Sequence, residues 1–135
     1  MQKCDTLLSE LALLLPSELS TATKRSKMMV TCYPGNGARY TRHCDNANKN
    51  GAALLRTFSR EGVDEGLRFS LPGRRMTAIL YLNPTWREGD GGQLRVFGPG
   101  TSEEIVATIP PLSNRLLIFW SDARAPHEVS VGSGI

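Results

Sequence analysis

The chain has 135 residues, which is enough for one domain with a core of its own. Apolar residues make up 40% of the sequence and charged residues 21%, and both values are ordinary for a globular protein. The 16 basic residues exceed the 13 acidic ones only slightly, and they are scattered without interleaved aromatic side chains. We therefore expect a solvated basic surface and no nucleic-acid partner.

Cysteine usage and the amino-terminal leucines bear on the compartment. Cys4, Cys32 and Cys44 are odd in number and lack C-x-x-C spacing, so neither a disulfide framework nor a structural zinc site is indicated. A reducing compartment is favoured, the cytoplasm first and the nucleus as the alternative. The leucine-rich run at residues 7–15 is interrupted by polar residues and is too short to cross a bilayer. We expect no signal peptide and no membrane partner.

The same run predicts an amphipathic helix, because its leucines recur at helical spacing. Asp5 or Thr6 is predicted to cap its start, and Pro16 to end it. We expect the apolar face to pack on the strands that follow. Residues 1–27 are assigned to this helix and a polar connector, and residues 28–135 to a single domain.

The remaining sequence predicts a β protein. Residues 28–33 are rich in β-forming side chains and are followed by a turn at residues 34–37. The continuous apolar run at residues 115–120 predicts a strand buried on both faces. Residues 46–73 are polar and predict a long insert with a short helix at residues 52–58. Short strands without intervening helices predict an antiparallel sandwich or barrel. Further strands are predicted at residues 39–44, 76–82, 93–97, 104–109 and 127–131.

His43 and Asp45 stand two residues apart at the end of a predicted strand. Alternate residues of a strand point to one side, so an imidazole and a carboxylate are presented together, about 6–7 Å apart along the backbone. Two of the three ligands of a 2-His-1-carboxylate metal site are arranged in this way, and His127, the second histidine of the sequence, would complete the set if the strands bring it near. The spacing alone favours the other interpretation, a surface histidine, a core histidine and a turn aspartate.

Four blocks, YPGNGARYTRHCDN, ILYLNPTW, GGQLRVF and RLLIFWSDARAPHEV, resemble in order the prolyl 4-hydroxylases of the hypoxia-sensing type. These enzymes belong to the Fe(II)/2-oxoglutarate-dependent dioxygenases. The resemblance implies a double-stranded β-helix (jelly roll) and hydroxylation of prolyl residues in a protein substrate. It also implies Fe(II), O2, ascorbate and 2-oxoglutarate, which is decarboxylated to succinate.

The resemblance assigns roles to individual residues. His43, Asp45 and His127 correspond to the iron ligands. Tyr81 corresponds to the tyrosine that contacts the distal carboxylate of 2-oxoglutarate, and Tyr33 is expected near the cosubstrate. Ile79 is expected to share the strand face of Tyr81 and to form an apolar wall of the pocket. Arg74 is expected on the side of the peptide substrate. The pair Gly91-Gly92 is expected to matter for backbone geometry, and Trp86 and Trp120 are expected to be packing residues.

The sequence departs from the family after Asp45 and after His127. The insert at residues 46–73 is longer than in the animal oxygen sensors. The family has a basic residue, usually arginine, in a further strand beyond the histidine that His127 matches, whereas this sequence ends at Ile135. We therefore expect a jelly roll truncated by its last strand and weakened binding of 2-oxoglutarate. The alternatives are an inactive or fragmentary paralogue that binds proteins, and a cupin-type metal-binding jelly roll.

Overall fold

The computed structural model describes residues 2–19, 28–34, 36–46 and 74–132. The chain divides into two compact units. The first contains both helices and extends to Val30, and the second contains all the strands named below. The predicted insert at residues 46–73, with its helix at residues 52–58, lies outside the described residues except for Asn46.

The described residues of the amino-terminal unit form two helices, α1 at Gln2–Leu14 and α2 at Pro16–Leu19. The predicted helix and its end before Pro16 are confirmed, because proline cannot donate within a helix but suits the first position of a new one. The predicted cap is wrong, since α1 begins at Gln2 and Asp5 lies inside its first turn. A carboxylate there is favourable beside the helix dipole. None of the described helices has the length and apolarity needed to span a membrane.

Six strands lie in the described part of the second unit, each inside a predicted segment. Their ends fall within two residues of the prediction, so these strand predictions are confirmed. All but the strand that ends at Trp120 are followed within three residues by Gly, Pro or Asn, where the backbone leaves the extended conformation. The strands are β1 Tyr40–His43, β2 Met76–Leu80, β3 Leu94–Phe97, β4 Ile105–Ile109, β5 Leu116–Trp120 and β6 His127–Val129.

The strands form two antiparallel sheets. The larger has the order β1-β6-β3-β4, and the smaller pairs β2 with β5. The predicted all-antiparallel arrangement is confirmed for the described residues. Because β1 and β6 pair although they are far apart in sequence, residues from the two ends of the unit meet at one place in the larger sheet.

The core of this unit lies along β3 and the segment that leads into β6. Leu94 and Phe97 are 2% and 6% exposed, and Ala125 is 6% exposed. Two polar side chains are buried as deeply, Ser121 at 0% and His127 at 3%. Because buried polar groups need hydrogen-bond partners, the surroundings of these two residues must provide such partners as well as apolar contacts.

Two predictions about the strands are wrong. Residues 28–33 form no strand in the described part of the chain, and Met28, Met29 and Val30 are 71%, 79% and 91% exposed. β-branched and bulky side chains favour a strand only where a sheet receives them. The run at residues 115–120 is not buried on both faces, because no residue of β5 is fully buried and Leu116 is 37% exposed.

Two pairs of residues turn the chain through the left-handed region. Asn36 and Gly37 have φ of 68° and 82°, which matches the tight turn that Asn-Gly favours, and this turn leads into β1. Gly91 and Gly92 have φ of 72° and 71°, values that other residues rarely adopt. The expected backbone role of this glycine pair is thereby confirmed. The carbonyl of Gly91 also accepts a hydrogen bond of 2.8 Å from the Trp86 indole.

Candidate metal centre

His43, Asp45 and His127 come together because β1 pairs with β6. His43 ends β1, His127 begins β6, and the two residues are direct partners across the antiparallel ladder. Residues that face each other in such a ladder point to the same side of the sheet. Asp45 lies in the turn that follows β1 and returns its carboxylate to that side.

The three side chains are close enough to hold one metal ion. The Nε2 atoms of His43 and His127 lie 3.4 Å and 3.9 Å from the same carboxylate oxygen, Asp45 Oδ1. One ligand atom from each residue lies within 4.8 Å of the other two. Ligands bonded at about 2.0–2.2 Å to one ion lie roughly 3–4 Å apart, so the observed cluster needs little contraction to close on a metal.

Backbone carbonyls fix the orientation of both imidazoles. His43 Nδ1 lies 2.8 Å from the Thr41 carbonyl oxygen, and His127 Nδ1 lies 3.0 Å from that of Ala125. A carbonyl only accepts, so each Nδ1 carries the proton and donates it. When the ring is neutral, Nε2 then presents its lone pair to the space beside Asp45, as in metal-binding histidines held by an outer partner.

His127 is prepared for metal binding by its burial. Burial lowers its pKa from 6.5, and the nearby His43 adds to this, while the bond to Ala125 and the charge of Asp45 act in the opposite direction. The imidazole is therefore neutral at neutral pH, and the neutral form is the one that binds metals. The Phe119 ring packs edge-on against it at 4.7 Å between centroids, which excludes water on that side.

The second carboxylate oxygen of Asp45 is engaged by the protein. Asp45 Oδ2 accepts a hydrogen bond from the Thr77 hydroxyl and lies 3.6 Å from Arg74 Nη1. Oδ1 faces the two imidazoles instead. The carboxylate is thus divided into one oxygen held by the protein and one directed at the metal position. Arg74, expected on the side of the peptide substrate, lies beside this carboxylate.

The expected cosubstrate residues continue along β2. Thr77, Ile79 and Tyr81 alternate on one side of the strand and are partly buried, whereas the intervening Ala78 and Leu80 are exposed. Ile79 and Tyr81, two residues apart, are thus both partly buried. The backbone N–H of Tyr81 donates a hydrogen bond of 3.0 Å to the carbonyl of Arg115, the residue that precedes β5.

The two tyrosines differ in their surroundings. Burial raises the pKa of Tyr81 to about 12, opposed by the positive charge of Arg115 and assisted by Tyr33. Tyr33 is 41% exposed, and its pKa is raised by burial, then by Tyr40 and Asp45. These electrostatic effects place Tyr33 near both Asp45 and Tyr81. Both phenols stay protonated at neutral pH and can donate to an anion.

The two tryptophans stabilise loops around the site, as expected of packing residues. Trp86 is half-buried and bonded to the Gly91 carbonyl as described above. The ring of Trp120 lies 3.7 Å beneath the Arg124 guanidinium, which is also paired with Asp122 at 2.7 Å. The two contacts of Arg124 lie between the end of β5 and His127.

Sequence reasoning missed Thr77 and Ser121. Thr77 could have been found, because strand alternation places it on the face of Ile79 and Tyr81. Ser121 follows an apolar strand and has no recognisable pattern around it. Only the pairing of distant strands shows that it lies against the metal cluster.

The fold and the cluster define a class: an antiparallel β protein whose two histidines and one carboxylate form the donor set of mononuclear non-haem iron sites. The sequence matches the 2OG-Fe(II) oxygenase superfamily over residues 28–133. The chain belongs to this superfamily. Its members, by that description, use Fe(II) and 2-oxoglutarate, and a donor set of two imidazoles and one carboxylate suits a divalent iron.

Individual relatives are similar over most of this chain. "Prolyl hydroxylase EGLN3" of Mus musculus is 44% identical over 107 residues, covering 78% of this chain and 35% of the relative. "Hypoxia-inducible factor prolyl hydroxylase" of Caenorhabditis elegans is 40% identical over 106 residues, covering 78% and 11%. The chain thus spans about a third or less of these relatives' length.

A solved structure is also similar. It is a prolyl hydroxylase in complex with a hypoxia inducible factor oxygen degradation domain peptide fragment from Trichoplax adhaerens. The TM-score is 0.59 at 39% identity, covering 83% of this chain and 40% of that chain. The likeness therefore extends beyond the metal cluster to the arrangement of the strands.

Proposed function

We propose that this protein is an Fe(II)- and 2-oxoglutarate-dependent dioxygenase that hydroxylates prolyl residues in a protein substrate and converts 2-oxoglutarate to succinate. The observation that supports it most is the convergence of two Nε2 atoms on one oxygen of Asp45, in a chain 44% identical to a prolyl hydroxylase. The two sheets are proposed to be parts of a double-stranded β-helix.

His43, Asp45 and His127 would hold the iron. Bound there, Fe(II) would supply the activation of O2 with electrons from 2-oxoglutarate. Neighbouring protein residues would orient the ligands and shield them from water. Thr41 and Ala125 hold the imidazoles through their carbonyls, and the rings beside the histidines limit water access.

The face of β2 is proposed to bind 2-oxoglutarate. Ile79 offers an apolar wall for the methylene groups, and the Tyr81 hydroxyl is a neutral donor for the distal carboxylate. Tyr33, which is electrostatically coupled to both Asp45 and Tyr81, would lie between the metal and that end. A buried carboxylate is stabilised by such donors and by nearby positive charge, and the charge of Arg115 acts on the Tyr81 hydroxyl.

The substrate is proposed to be a prolyl residue in a protein, because the similar relatives and the similar solved structure are prolyl hydroxylases. Arg74 lies 3.6 Å from Asp45 and is partly exposed, so it is proposed to line the approach of the peptide. Ascorbate is proposed to keep the iron reduced. The protein is proposed to act in the cytoplasm or nucleus, with no nucleic-acid or membrane partner.

The test is succinate formation from 2-oxoglutarate, with Fe(II), ascorbate and a proline-containing peptide, by the wild type and the His43→Ala variant. The wild type is expected to form succinate and hydroxyproline in equal amounts, and the variant at least a hundredfold less, because a ligand is lost. Equal turnover by the two proteins would refute the proposal. A wild type that binds Fe(II) but produces no succinate would instead support a protein-binding paralogue.

A further inference from the structure

The Thr77 hydroxyl, which donates to Asp45, also contacts the buried hydroxyl of Ser121. Ser121 is fully buried, with 0% of its surface exposed, and Thr77 is partly buried on β2. Their Oγ atoms lie 2.8 Å apart. Two hydroxyls in an otherwise apolar core are costly unless they serve a partner, and here the partner is a carboxylate.

The direction of the hydrogen bonds follows from the number of protons. The Thr77 hydroxyl has one proton and donates it to Asp45 Oδ2, since an ionised carboxylate can only accept. The bond between the two hydroxyls must then be donated by Ser121. The result is a chain of donors, Ser121 to Thr77 to Asp45. Consecutive hydrogen bonds of this kind polarise and strengthen one another.

The backbone of Ser121 holds the base of this chain in place. Its N–H donates 3.0 Å to the Arg75 carbonyl, and its own carbonyl accepts 2.7 Å from the N–H of Asn46. Asn46 directly follows Asp45. Ser121 therefore joins the start of β2, the end of β5 and the turn that bears the carboxylate ligand.

The same region of the smaller sheet supports a second ligand. Thr77 and Phe119 are direct partners in the β2–β5 ladder, so both side chains point to one side. Thr77 contacts Asp45, and the ring of Phe119 packs on His127 at 4.7 Å. One cross-strand pair thus contacts two of the three candidate ligands.

We propose that Thr77, supported by Ser121, is a positioning residue that holds Asp45 Oδ2 and so makes Asp45 bind the metal through Oδ1 alone. This inference rests on the proposed function. Single-oxygen binding keeps a coordination position free, whereas a carboxylate released from Thr77 can rotate or bind through both oxygens. Arg74, at 3.6 Å, adds charge near Oδ2 without the fixed geometry of a bonded hydroxyl.

The test measures the binding of Co(II). This ion is used in place of Fe(II) because its visible absorption reports the number and kind of its ligands. Wild type, Thr77→Val and Thr77→Ser are titrated with Co(II). Valine has the shape of threonine without its hydroxyl and is favoured in strands, whereas serine retains the hydroxyl. Thr108→Val is the matched control, because Thr108 is an exposed threonine within strand β4.

Thr77→Val is expected to bind Co(II) 10- to 100-fold more weakly, the usual effect of losing an outer-shell partner, and to show shifted absorption bands. Thr77→Ser and Thr108→Val are expected to resemble the wild type. Folded Thr77→Val with wild-type affinity and bands would overturn the inference, and so would Thr77→Ser as impaired as Thr77→Val. If Thr77→Val does not fold, Ser121→Ala is judged by the same criteria.

The wild-type titration separates this inference from the proposed function. A wild type that binds no Co(II) would refute the metal centre itself, and the inference with it. A wild type that binds Co(II), alongside a Thr77→Val variant that binds it identically, would refute only the role of Thr77. Circular dichroism and thermal unfolding of each variant show whether the protein compared is folded.

Discussion

Tyr81→Phe tests whether the face of β2 binds the cosubstrate. The substitution retains the half-buried ring and removes only the hydroxyl, which has no hydrogen bond to another described residue. Burial raises the pKa of Tyr81 to about 12, so the phenol keeps its proton and remains a donor throughout the physiological pH range. Its proposed acceptor is the distal carboxylate of 2-oxoglutarate.

The magnitude follows from the charge of that acceptor. A hydrogen bond to a charged group contributes about 1.5–3 kcal/mol. At about 1.4 kcal/mol for each tenfold change, the Kd of 2-oxoglutarate should rise by roughly 10- to 140-fold. The affinity for the metal should not change, because the hydroxyl contacts none of the three candidate ligands.

The assay is a titration of 2-oxoglutarate into the Co(II)-loaded protein, followed by the visible absorption of Co(II). The wild type and Tyr81→Phe should start from the same metal-bound spectrum and differ only in the concentration of 2-oxoglutarate that changes it. Affinities equal within twofold would show that Tyr81 does not bind the carboxylate. A loss of Co(II) affinity would show that the substitution disturbs the metal site instead.

Two further outcomes follow from burial and charge. Because the pKa of His127 is lowered in the folded protein, the unfolded state binds a proton more readily, and the metal-free protein should lose stability as pH falls through the unfolded value of 6.5. The free energy of unfolding in urea, measured at about pH 7.5 and about pH 5.5, should differ less between the two pH values in His127→Gln than in the wild type. An equal difference in the two proteins would contradict the assignment. Burial first, and then Asp122, raises the pKa of Cys44, so in a Cys4→Ser variant iodoacetamide should modify Cys44 more slowly than the exposed Cys32. Equal rates, measured by peptide mass spectrometry, would contradict this.

The sequence predicts local features well and long-range ones poorly. The strands were located because alternation and turn residues are local, and His43 and Asp45 were paired because they are two residues apart. The position of His127 required either strand pairing or the family resemblance. Its direct pairing with His43 is a property of the folded sheet.

The failures have the same cause. Residues 28–33 have strand-forming side chains, yet a strand also needs a partner, and the described residues provide none there. The apolar run at residues 115–120 resembles a central strand, but its burial depends on what covers it. Ser121 gave no local indication, because its importance comes from contacts with Thr77, Arg75 and Asn46.

The most direct test of the central claim is the fate of labelled oxygen. The protein is incubated with Fe(II), ascorbate, 2-oxoglutarate, ¹⁸O₂ and a proline-containing peptide, and the products are analysed by mass spectrometry. If the three ligands hold an iron that divides O2 between the two substrates, one labelled atom should appear in succinate and one in hydroxyproline, and Asp45→Ala should give neither. Unlabelled products, or labelling that persists in Asp45→Ala, would contradict the account.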